Sequence, residues 1–172
     1  MLVESKLTEK EIEEIKQEVN TDFAKVEVNE SEIKVNYEDA YDIERIYLSK
    51  TQNEYGVKFY RLEIEYAQRD NEIHNCYSCH DYFCEDCPLK DKDSDEIIQK
   101  EVEEHESRES IKLSGFDELV ISPAIVETQC YVDIPHKHLF KGVYLTFETQ
   151  DFENVLAVLK LRNLLYKLIK CD

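Results

Sequence analysis

The sequence predicts an α+β fold: a mainly antiparallel sheet of about six or seven strands, a helix at each end, and a metal-binding excursion that contains a further helix. Three observations carry this expectation. Apolar residues alternate with polar ones in several segments joined by short turns, helical spacing is confined to the two ends and one internal stretch, and four cysteines fall within twelve residues where the alternation stops. The 172 residues, 42% of them apolar, suit one domain over 1–172 with side chains enough for a core that needs no metal merely to fold.

The first helix is well marked. Thr8 is placed to cap the amides of its first turn while Glu11 reaches back to Thr8, and Leu7 is spaced to pack on Ile12. Ile12, Ile15 and Val19 then continue one apolar stripe. Alternation follows in Ala24, Val26 and Val28, and resumes after Asn29-Glu30-Ser31 in Ile33, Val35 and Tyr37, which is a hairpin pattern. Ile46 and Leu48 suggest a third strand; beyond Gly56, Tyr60, Leu62, Ile64 and Tyr66 suggest a longer fourth. Strands joined by such short turns pair antiparallel.

The pattern breaks near Gln68 and regular strand texture returns near Leu119, so residues 68–116 read as an excursion. Asp93 and Glu96 mark a helix start inside it, and Ile98, Val102 and His105 form a thin stripe on a charged rod. Further strands are expected over 119–122, 125–134 and 143–147, with Pro123 and Pro135 as breaks. The last helix carries Phe152, Val155, Leu156, Leu159, Leu164, Leu165 and Leu168. Burial against the sheet is the expected fate of that broad face; the alternative spends part of it on a second copy in a homodimer.

Charge divides the chain. There are 39 acidic against 21 basic side chains, a net −18. Residues 70–106 hold thirteen Asp and Glu against Lys90, Lys92 and Lys100, a net −10, whereas residues 137–172 are net +2. A field of this sign repels nucleic-acid phosphates and favours basic partners. Three glycines leave no phosphate-cradling loop, and no nucleophile or general-base motif surrounds His136 and His138, so a non-enzymatic role is expected.

The sharpest chemical signal is Cys76, Cys79, Cys84 and Cys87, two C-x-x-C pairs four residues apart. Each pair can fold back so that both sulfurs point at one ion, and zinc takes four thiolates in a closed tetrahedron with no open position for substrate. His74 and His80 stand as alternative ligands or as donors to a thiolate. The segment resembles the first part of a zinc knuckle, with Cys84 where the knuckle has histidine and a shorter final step to Cys87. The resemblance implies the metal. Knuckles that bind single strands carry glycine and basic residues around their ligands, whereas Asp81, Glu85 and Asp86 stand here, so it does not extend to nucleic acid.

Two alternatives use the same residues. Cys79, Cys84 and Cys87 have the spacing of a plant-type iron–sulfur cluster, with Cys130 as a distant fourth ligand, but His80, Asp81, Tyr82 and Phe83 are bulky for a loop that wraps sulfide. Cys76-Tyr-Ser-Cys79-His80 is literally a c-type haem string, a chemistry that normally follows export. A second, weaker constellation is Asp133, His136 and His138, for which a polar turn after Pro135 is the simpler account. With no secretory signal pattern and no long apolar run, a cytoplasmic protein with free thiols is expected rather than one bridged by disulfides. The function that collects these readings is a non-enzymatic, zinc-stabilised acidic protein that engages a basic protein surface, with imitation of nucleic-acid charge as one way to do so; the alternatives are a zinc-knuckle nucleic-acid factor and an iron–sulfur electron carrier.

Overall fold

The computed structural model describes residues 1–19, 22–39, 42–69, 94–113, 119–128 and 138–169. Their elements are, in chain order, β1 (Val3–Glu4), α1 (Glu9–Val19), β2 (Lys25–Val28), β3 (Glu32–Glu38), β4 (Asp42–Gln52), β5 (Lys58–Arg69), α2 (Ser94–Glu106), β6 (Ile111–Lys112), β7 (Val120–Thr128), β8 (His138–Thr149) and α3 (Phe152–Tyr166). The fold is α+β with an antiparallel sheet. Its strands lie in the order β2-β3-β4-β5-β8-β7-β6, and β1 continues the line of β3 along the far end of β4, pairing Val3 with Gln52.

The register explains which face is dry. Ile46 faces Ile64, Leu48 faces Leu62, and Leu62 and Ile64 face Phe147 and Leu145. Successive side chains alternate between faces, so these residues share one surface with Ile33, Val35 and Ile121. That surface, buried under α1 and α3, is the main core. Each fully buried aliphatic side chain contributes about 1.5–3 kcal/mol.

Both terminal helices reach this face by local rules. Thr8 N donates to Glu11 Oε1 at 2.9 Å and Glu11 N to Thr8 Oγ1 at 3.1 Å, the reciprocal cap expected of α1. The α3 start is capped by Asp151, which accepts from Glu153 N at 3.0 Å. Asn29 folds the β2–β3 turn by accepting from Ser31 N at 3.1 Å and Glu32 N at 2.9 Å.

Five expectations change. The buried row of α1 is Leu7, Glu11, Ile15 and Val19, with Ile12 only half-buried on its flank. A carboxylate therefore occupies a core position. Pro123 does not break β7, which runs through it opposite Val143. The reason is topological: β6 pairs only with Val120 and Ile121, so beyond them β7 has no second neighbour among the described residues, and a missing N–H on that side costs no ladder bond. β8 starts at His138, five residues earlier than the alternation suggested, and β6 is a strand within the expected excursion. Finally, Leu164 near the end of α3 and Leu168 in the turn just beyond it are exposed rather than packed on the sheet.

Candidate functional site

Cys76, Cys79, Cys84, Cys87, His74 and His80 lie outside the described residues, as do Cys130, Asp133 and His136. His138 opens β8 opposite Thr128. The topology nevertheless fixes where both expected clusters are attached. β5 ends at Arg69, paired with Phe140, and the cysteine segment follows it in the chain; β7 ends at Thr128 and β8 begins at His138, and Asp133 and His136 fall between them in sequence. The exit of β5 and the entry of β8 thus share one end of the sheet on adjacent strands, about 8 Å apart by strand spacing and rise. Two signals 50 residues apart in the chain depart from neighbouring anchors. Among the described residues there is no group of three or more His, Cys, Asp or Glu side chains arranged to hold a metal.

On the far side of the excursion, α2 packs against β7 and inserts His105. His105 is 4% exposed, and its Nε2 lies 2.9 Å from the carbonyl oxygen of Gly142. The Nε2 nitrogen donates, since a carbonyl can only accept. Gly142 has no alternative at this crossing: a Cβ there would lie 1.8 Å from the Tyr66 carbonyl oxygen and 2.5 Å from Ala67 Cα. Its neighbours Ala67 and Phe140 are fully buried, together with Ile43, in a small second cluster. The return of the excursion is therefore bolted to the middle of the sheet.

The most unusual chemistry among the described residues is a buried charged trio at the other end. Lys50 continues the inward phase of Ile46 and Leu48 and is only 2% exposed. Its Nζ donates to Glu11 Oε1 at 2.7 Å, and Tyr60, its cross-strand partner, donates through OH to Glu11 Oε2. Burial works to raise the Glu11 carboxyl, but the hydrogen bonds from Lys50, Tyr60 and Thr8 outweigh it and hold it below its usual 4.5. Burial first, and then the bond to Glu11, push the Tyr60 hydroxyl far up. Every group here has a partner. The shallow cleft nearby, about 370 Å³, is lined by Lys6, Leu7, Thr8, Glu9, Ile12, Asn29 and Glu30, with Glu11 and Lys50 outside it. A satisfied, closed ion pair is structural chemistry, not a catalytic site.

A second polar cluster closes the end of α3. Tyr166 donates to Glu44 and stacks on Tyr66 with ring centres 4.2 Å apart; Arg162 Nε lies 3.4 Å from Glu44 Oε2, and Arg162 Nη1 donates to the Leu159 and Glu18 carbonyl oxygens. Burial and then Glu44 raise Tyr166, while burial and then Asp42 push Tyr66 up to about 12. Both tyrosines therefore remain neutral donors at physiological pH.

Sequence reasoning did not single out Lys50, Tyr60 or Glu44 as a charged network. The signal was present for Lys50, a lysine in phase with two core residues, and for Glu11, centred between Leu7 and Ile15 at helical spacing. Glu44 stands in the same phase, two residues before Ile46, but its partners come from α3 about 120 residues later. The chain matches no family model, no curated protein and no solved structure. No helix among the described residues is long and apolar enough to cross a membrane.

Proposed function

We propose that this protein is a non-enzymatic, cytoplasmic interaction module, one domain throughout, in which zinc bound by Cys76, Cys79, Cys84 and Cys87 shapes an acidic segment that engages a basic protein surface. The observation that carries the reading is the coincidence of two C-x-x-C pairs with the −10 stretch over residues 70–106. Bound zinc does not offset this charge: four thiolates and one divalent ion add a further −2. The sheet supports the reading as a scaffold, because β5 and α2 lead into and out of the segment and α2 is held by His105. In this reading His74 and His80 serve beside the thiolates, and Asp133, His136 and His138 take no part in metal binding.

Elemental analysis and an absorption spectrum of the purified chain test the metal: one zinc per chain and no visible absorbance are expected, while iron with a visible band, or no metal, defeats the reading. Partner charge is tested separately with poly-lysine. Neutralising Asp81, Glu85 and Asp86 to Asn, Gln and Asn should weaken binding about tenfold at low salt, and neutralising Glu27, Glu63 and Glu65 on the sheet should change it less than about twofold. Equal losses from both sets would mean that net charge alone, not the segment, does the binding.

A further inference from the structure

On α3 the residues Ala157, Leu161 and Leu164 recur at steps of four and three, on one strip about 10 Å long, and Leu168 follows four residues later in the turn beyond the helix. This strip is turned away from the core formed by Val155, Val158, Leu159, Leu165 and Tyr166. Leu161, Leu164 and Leu168 are 37%, 61% and 49% exposed. Steps of four and three are the seam spacing with which one helix receives another. A scattered exposed leucine needs no explanation, but three in that register on and just beyond the most apolar helix of a chain with 35% charged residues do.

We propose that this seam docks an amphipathic helix of a partner protein whose flanks are acidic. Charge selects the occupant. The solvent-side flank of the strip carries Lys160 and Lys167, seven residues apart, with Glu153 one repeat further toward the N-terminus; the opposite flank is Asn154 and the buried Val158 and Leu165. Lys160 also lies 3.7 Å from Glu18 of α1, and Lys167 is exposed. Self-pairing is disfavoured, because a two-fold axis between Leu161 and Leu164 sets Lys160 of one copy against Lys167 of the other. An anionic bilayer would match the lysines but would present its charge to the whole surface of a chain of net −18, whereas a helix meets only the strip. An acidic flank seated on the strip reaches Lys160 and Lys167 within a Debye length. This inference is independent of the metal site and concerns the opposite sign of charge.

The test uses the full chain and two short synthetic helical peptides with one leucine pattern, one carrying Glu and the other Lys on its flanks. Fluorescence anisotropy should give the Glu peptide at least about tenfold tighter binding than the Lys peptide at low salt. Leu164→Glu should abolish binding, and Tyr55→Glu, at an exposed hairpin tip, should leave it unchanged. The decisive variant is Lys160→Glu with Lys167→Glu, which should reverse the preference between the peptides. Circular dichroism must show each variant folded, which the exposure of these positions favours. No binding of either peptide, equal binding of both, or an unreversed preference overturns the proposal. So does a dimer by sedimentation that Leu164→Glu dissociates, or Leu164-dependent binding to phosphatidylserine vesicles.

Discussion

The two faces of the sheet handle the same chemical pair in opposite ways. On the helix-covered face, Lys50 and Glu11 meet in a dry setting, 2.7 Å apart, with Tyr60 and the amide of Thr8 taking up the remaining capacity of the carboxylate. On the other face, Arg61 of β5 bridges Glu63 of the same strand and Glu148 of β8, and Arg45 bridges Glu65 at 2.7 Å, all in contact with water. Contact distances on the two faces are alike. Their energetics are not, because desolvation makes the buried pair costly to break, while solvent and salt screen the exposed ones. Distance alone therefore says little about which pair matters.

The largest expected effect comes from breaking the buried pair on one side only. Lys50→Ala strips Glu11 of its ammonium, and Glu11→Ala leaves Lys50 buried without a counter-charge; each should cost roughly 3–5 kcal/mol in urea unfolding. The Glu11 variant should be the worse, since it also removes the reciprocal cap on Thr8, worth about 1 kcal/mol. Replacing both, as Glu11→Leu with Lys50→Met, should recover most of the loss. If the double variant is as unstable as the singles, the pair contributes something beyond mutual neutralisation.

A smaller effect is expected from pH. Because the Glu11 carboxyl is held below 4.5 in the folded chain, its contribution is fully present above that value and is lost as pH falls through the lowered one. Thermal melts from pH 6 down to pH 3 should show the wild type losing stability more steeply than Glu11→Gln. Parallel curves would mean that other carboxylates govern the acid limb. The smallest effect belongs to the exposed face, where Arg61→Ala and Arg45→Ala should each shift stability by no more than about 1 kcal/mol, less still in 1 M salt. A loss comparable with that of Lys50→Ala would erase the distinction between the faces.

Elements governed by neighbours in sequence were legible. The α1 cap, the Asn29 turn and the alternation of β3, β4 and β5 all follow from spacings of two to four residues, and the structure has them where the chain indicated. What was not legible depended on partners remote in the chain. β1 and β6 are two residues each and have no pattern of their own; they exist because β4 and β7 offer them an edge. Pro123 looks like a breaker until the absence of a second neighbour beside it is known. The phase of Lys50 marks it as inward, but its partner Glu11, 39 residues away, emerges only from the fold. As for the cysteine segment, its spacing was read directly, and the sheet adds only its points of attachment.

Glu11 ties two timescales of folding together. The same Oε1 oxygen that receives the Thr8 amide, three residues away, receives the ammonium of Lys50 from the sheet. Local helix initiation thus pre-aims the carboxylate that docking will need, and docking in turn stops the first turn from fraying. The first turn of α1 and its seat on the sheet become one cooperative unit, so hydrogen-exchange protection of the Glu11 and Ile12 amides should disappear in the same opening event that releases Lys50.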